Sequence, residues 1–139
     1  MHRTYVSWKK IFLKEGSHVG HGAIIHGANL GRNCLIGMNS VIMDDAVIGD
    51  QSIVGAMTFI KAASVFPNRS LIVGNPAKVL KEVSDEMLNW KTAGTKLYQQ
   101  LPADCYESLK EVEPLRELPR NRPKQEDFYK TFREIKNKK

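Results

Sequence analysis

No run of about 18 apolar residues occurs in the sequence, so no membrane-spanning helix is encoded. The opening stretch, MHRTYVSWKK, has neither the apolar core nor the small-residue cleavage site of a secretory leader, and a cytoplasmic protein with no membrane partner is expected. Cysteine is scarce. Cys34 and Cys105 are the only two, and without CxxC spacing they point to neither a disulfide framework nor a cysteine zinc site. No Gly-x-Ser-x-Gly or comparable nucleophile motif is present, which removes the usual metal-free route to ester hydrolysis. Excess basic charge is confined to one segment. The formal net charge is +6, but residues 120–139 hold eight Lys and Arg against three Asp and Glu, leaving the rest close to neutral. A groove-reading protein carries its charge on a folded face among base-reading side chains, so no nucleic-acid partner is expected.

What is present fits one folded domain: 139 residues, 42% hydrophobic and 26% charged. Residues 30–77 divide into sixes without a slip: LGRNCL, IGMNSV, IMDDAV, IGDQSI, VGAMTF, IKAASV, FPNRSL and IVGNPA. The first position is always apolar (Leu30, Ile36, Ile42, Ile48, Val54, Ile60, Phe66, Ile72). Small residues dominate the fifth position and apolar ones the sixth. Apolar pairs every six residues exclude a helix, which needs three-and-four spacing. The β-branched enrichment suits short strands, and the intervening Gly, Asn and Asp suit turns with unusual backbone angles. One such unit cannot bury its apolar residue alone, so the copies must stack into a solenoid with a continuous core. Ile48 then faces inward, and the polar third position held by Asp50 is expected to tolerate substitution. Upstream the pattern continues as LKEGSH and VGHGAI, followed by a five-residue unit, IHGAN, that marks a local irregularity.

Past VGNPAKVLKEV the repeat stops, and Ser84-Asp85-Glu86 combines an N-cap with an acidic first turn. An amphipathic helix over about residues 84–101 is predicted to lie along the solenoid and to end at Pro102. A shorter helical stretch from Asp104 to Val112 and a last short helix over residues 126–136 are also expected.

Three of the four histidines, His18, His21 and His26, fall within SHVGHGAIIHG. Imidazole is the commonest metal ligand among side chains. In extended chain the five-residue step from His21 to His26 spans up to about 17 Å, too far for one ion held about 2.1 Å from each ring nitrogen. As ligands they would serve sites shared with a neighbouring chain; otherwise they are solvated turn residues, the reading that also suits His18.

The repeat over residues 13–77 resembles the hexapeptide-repeat family. That resemblance implies an all-β solenoid, a left-handed parallel β-helix of hexapeptide repeats with three units to each triangular coil, and with a C-terminal α-helix and tail. The expected divisions are 1–12 as an incomplete first coil or loop, 13–77 as the β-helix, 84–101 as the helix, and 102–139 as an extended or helical basic tail. GHGAIIHG, IGMNSVIMDDAVIG and VGNPAK, with NWK, YQQL and EVEPL further on, resemble the γ-class carbonic anhydrase-like branch of the family, in particular its phenylacetate-degradation and carnitine-operon members. The likeness runs through residue 118. It implies a homotrimer in which His21 and His26 hold zinc, or another divalent metal, at subunit interfaces, with His2 of the opening Met1-His2 as the third ligand. It also implies that the family's N-terminal coils are missing, as in a truncated relative.

Zinc held by three imidazoles lowers the pKa of bound water toward 7. The implied activity is therefore attack of zinc-bound hydroxide on a small-molecule substrate, either carbon dioxide or an acyl-coenzyme A thioester. Two other classes share the solenoid: acyltransferases that use acyl-coenzyme A and a catalytic histidine, with the same GNPAK-like exit, and non-catalytic truncated relatives that only trimerise.

Overall fold

In a computed structural model of the chain, which describes residues 9–121, 131, 133 and 134, the six-residue repeat forms a parallel β-solenoid of about three turns. Most strands are two residues long, the last residue of one unit and the apolar first residue of the next. The first coil holds β1 (Phe12–Leu13), β2 (His18–Val19) and β3 (Ile24–Ile25). The second holds β4 (Asn29–Leu30), β5 (Leu35–Ile36) and β6 (Val41–Ile42). The third holds β7 (Val47–Ile48), β8 (Ile53–Val54) and β9 (Phe59–Ile60), before β10 (Val65–Phe66) and β11 (Ser70–Gly74). Stacking gives three sheets, ordered β1-β4-β7-β10, β3-β6-β9, and β2-β5-β8-β11 with β12 (Ala77–Glu82) outermost. The short unit IHGAN leaves its mark in the register. Phe12 pairs with Asn29, seventeen residues on, whereas Asn29 pairs with Val47, eighteen on.

The first position of each unit points inward, and Leu30, Ile36, Ile42, Ile48, Val54, Ile60 and Ile72 are all buried. The small fifth-position residues Cys34, Ser40, Ala46, Ser52 and Thr58 lie buried beside them, where a larger side chain would not fit within the coil. At the top of the stack the inward residues Leu13 and Val19 are exposed, because no described coil covers them.

The fourth position carries the bend. Asn33, Asn39, Asp45, Gln51, Met57, Ala63 and Arg69 all have φ between 52° and 59°, and in the first coil Gly16 and Gly22 take this place at φ 70° and 69°. Asn and Asp are at home in the left-handed region, but Gln, Met and Ala are held there by the ladder against an intrinsic cost of about 1–2 kcal/mol. Ala63→Gly should therefore leave stability unchanged or raise it, while Ala63→Val should lower it by about 1–2 kcal/mol or more, since a β-branched residue fits this region worst. Denaturant midpoints of the two variants check this, and equal midpoints would show that the bend imposes no side-chain restriction.

Two elements differ from the sequence expectation. IVGNPA reads as an eighth unit, and Ile72 is indeed buried in register, but the chain then reverses at Gly74-Asn75-Pro76 so that β12 pairs antiparallel with β11. Pro76 follows a cis peptide bond, and Gly74 has φ 103°. The helix α1 (Asp85–Ser108) runs on through Pro102 rather than stopping there. Proline gives up the bond to the carbonyl of residue 98, a cost of about 3 kcal/mol in a helix interior that the remaining turns withstand.

The chain falls into two compact units divided between Thr92 and Ala93. Within the first, Ser84 Oγ caps α1 by accepting the Met87 amide at 3.3 Å, and Arg69 Nη2 donates to the Val83 carbonyl and to Asp85 Oδ1 at 2.8 and 2.6 Å. Lys91 is 3% exposed, and its Nζ donates to Asn33 Oδ1 at 2.6 Å and to the Gly16 carbonyl. Asn33 Nδ2 in turn donates to Thr92 Oγ1 at 2.9 Å. Both acceptors of the ammonium are neutral, and its burial lowers the Lys91 pKa below 10.5. Between that depressed value and 10.5 the unfolded chain binds more protons than the folded one, so stability rises with pH across this window. Measured from about pH 8 upward, the melting temperature of the unmodified protein should gain on that of Lys91→Met as pH approaches 10.5. A constant difference would mean that the amine is not desolvated.

Candidate metal centre

The histidine segment wraps the first coil from β2 to the corner after β3. His18 lies in β2, not in a turn, and is half-buried. Its pKa is held below 6.5, first by burial and then by the positive charge of Lys91 and of His21. That environment disfavours the imidazolium and differs from the solvated setting the sequence suggested.

His21 occupies the turn between β2 and β3 and is exposed, its carbonyl accepting the Asn39 amide of the next coil at 2.9 Å. His26 follows β3 directly. Its amide donates to the Ile42 carbonyl at 2.8 Å, which fixes the backbone, while the ring is 67% exposed. The two histidines thus flank one two-residue strand, both open to the outside. His2 lies outside the described residues. Among the described residues no group of three or more His, Cys, Asp and Glu converges to hold an ion, so one chain does not assemble a three-ligand site from them.

A residue that sequence reasoning passed over completes the local picture. Asp44, in the corner after β6 one coil below, brings Oδ1 to 3.0 Å from His26 Nδ1. The oxygen is buried and makes no directed hydrogen bond, so the pair is in contact but not aligned. Gly27 makes the approach possible: a Cβ there would lie 2.3 Å from Asp44 Oδ1, and the residue has φ 64°. No side chain other than hydrogen fits between the carboxylate and the corner. Asp44 lies one residue beyond His26's place in the register, since Ile25 pairs with Ile42 seventeen residues on, and it belongs to an Asp-Asp pair whose second member is held by Lys9.

As a donor set these residues suit a divalent metal. A ligating histidine typically gives its second ring nitrogen to a carboxylate, which fixes the tautomer and turns the other nitrogen outward, and the orphaned Asp44 oxygen is placed for that role.

Comparison with known proteins agrees with the fold. Residues 27–62 match the bacterial transferase hexapeptide (six repeats) model. The carnitine operon proteins CaiE of Shigella flexneri serotype 5b and of Escherichia coli O139:H28 are each 53% identical over 110 residues, covering 79% of this chain and 56% of theirs. The chain thus spans about half the length of these relatives. Among solved structures, a Bacillus cereus protein described as an acetyltransferase is 30% identical with a TM-score of 0.53, over 64% of this chain and 56% of that one. A hexapeptide transferase family protein from Anaplasma phagocytophilum aligns with a TM-score of 0.57 at 23% identity, over 68% of this chain and 64% of that one, a likeness of fold alone. The repeat in register, the parallel solenoid and the shared sequence together make this chain a hexapeptide-repeat protein similar to CaiE.

Proposed function

We propose that this chain is a subunit of a homotrimeric, γ-class carbonic anhydrase-like metalloprotein, with zinc or another divalent metal shared between subunits. His21 of one subunit and His26 of the next would hold the ion, with His2 as the third ligand. The observation that carries this reading is the pair of exposed imidazoles flanking β3, one of them backed by a carboxylate with one buried oxygen. Assembly is supported by the outer face of the β1-β4-β7-β10 sheet, where Phe12, Val47 and Val65 are exposed and offer apolar surface to neighbouring copies.

When bound, zinc would supply a water acidified toward pKa 7, suited to hydration of carbon dioxide or hydrolysis of an acyl-coenzyme A thioester. The protein's own contribution is to hold the backbone that carries the two imidazoles. No helix among the described residues is long and apolar enough to cross a membrane; the proposed setting is the cytoplasm and the proposed substrate a small molecule.

The acyltransferase reading is favoured by the Bacillus cereus acetyltransferase likeness. The His26–Asp44 pair also has the form of a general base with its orienting acid. Metal content of the protein purified without chelator and supplied with zinc, together with its mass by light scattering, tests the first reading. A metal-free trimer that binds coenzyme A would favour the transferase, and a metal-free trimer that does not would favour a non-catalytic assembly.

A further inference from the structure

We infer that Asp44 is the positioning residue for His26: its carboxylate accepts a hydrogen bond from the ring's Nδ1–H and so presents Nε2 outward as the reactive nitrogen. The inference rests on the metal-site reading for what Nε2 binds, though the orientation itself does not depend on it. Three observations meet here. Asp44 Oδ1 is 3.0 Å from His26 Nδ1. The same oxygen is buried with no directed hydrogen bond, and a buried carboxylate oxygen left so is costly, which favours a small ring rotation that completes the bond. Gly27 leaves room for the carboxylate that any side chain would remove.

The neighbourhood makes His26 the acid's natural partner. Asp45, next along the chain, is engaged by Lys9, so the local cation is spent on the adjacent carboxylate. The Asp44 backbone is pinned because its carbonyl accepts the Ala63 amide at 2.8 Å. The His26 backbone is pinned to Ile42. With both main chains fixed, ring rotation is the freedom that remains to align the pair. Contacts of this kind are often loose before a ligand binds and tighten once the outward nitrogen is engaged.

The test uses the full chain with its histidine rings labelled with nitrogen-15. At about pH 8, where imidazole is neutral, His26 should carry its proton on Nδ1 in the unmodified protein and in Asp44→Asn, whose amide oxygen still accepts. In Asp44→Ala the proton should move largely to Nε2. Zinc affinity should fall about 10–100-fold in Asp44→Ala and only a few-fold in Asp44→Asn. Finding the His26 proton on Nε2 in the unmodified protein overturns the inference, and this measurement needs no variant to fold. So does an unchanged tautomer or unchanged zinc affinity in a folded Asp44→Ala. A tautomer shift in a protein that binds no zinc upholds the orienting role of Asp44 while removing the metal reading.

Discussion

Ile48→Asp is expected to abolish the folded solenoid at room temperature. Ile48 is 1% exposed and stacks between Leu30 above and Phe66 below in the β4-β7-β10 ladder. A carboxylate at this point has no partner and must either ionise in an apolar column or take up a proton, at a cost of several kcal/mol. Domains of this size are stable by only about 5–15 kcal/mol, and each coil of a solenoid depends on its neighbours, so the loss is not confined to one turn. Two residues on, the contrast is instructive. Asp50 reads from the sequence as freely replaceable, yet its Oδ1 accepts the Arg32 amide at 2.8 Å while its own amide donates to Asn68 Oδ1 at 2.8 Å. Three third-position residues thus form a side-chain ladder up one corner. Asp50→Ser should cost about 1 kcal/mol, the net worth of one such bond. Circular dichroism melts of the two variants decide the matter, and a cooperative transition for Ile48→Asp near that of the unmodified protein would mean that the inward register is misassigned.

The other large effect is on metal occupancy. His21→Ala and His26→Ala should each reduce bound zinc to background, because a three-imidazole site that loses one ligand no longer fixes the ion. His18→Ala should leave most of the zinc in place, as His18 sits in β2, outside the His21–His26 pair to which the site is assigned. His2→Ala distinguishes the remaining possibilities. Loss equal to that of His21→Ala assigns His2 as the third ligand, while full retention means that another group completes the site. Metal analysis of the dialysed proteins gives the numbers, and an unmodified protein that takes up no zinc would sink the metal reading altogether.

The fold was legible because the burial pattern is written in one-dimensional form. The apolar first position and small fifth position recur every six residues, and both are buried in most of the units. The bend at the fourth position was legible only in part. Asn33, Asn39 and Asp45 advertise a left-handed backbone, but Gln51, Met57 and Ala63 adopt it too, because the coil geometry imposes it whatever the side chain. The reversal at residues 74–76 had a local signal in Gly-Asn-Pro, overridden in the reading by the unbroken six-residue count through Ile72. Of the site, His21 and His26 were visible as residue types, but Asp44 was not. Its meeting with His26 depends on which coil stacks below, and the five-residue unit shifts that register by one.

The β11–β12 hairpin has a bearing on how the protein avoids fibre growth. A parallel solenoid is, at each end, an unfinished polymer: its last coil offers the same hydrogen-bonding edge that the previous coil offered to it, and another molecule can continue the stack. At β11 that edge is taken by a strand running the opposite way. On β12, Lys78, Lys81 and Glu82 are charged and exposed alongside the apolar Val79 and Leu80, and charges on an edge strand oppose pairing with a further strand. The reversal thus serves as a chain terminator for one of the three sheets, written into the same stretch of sequence that ends the repeat.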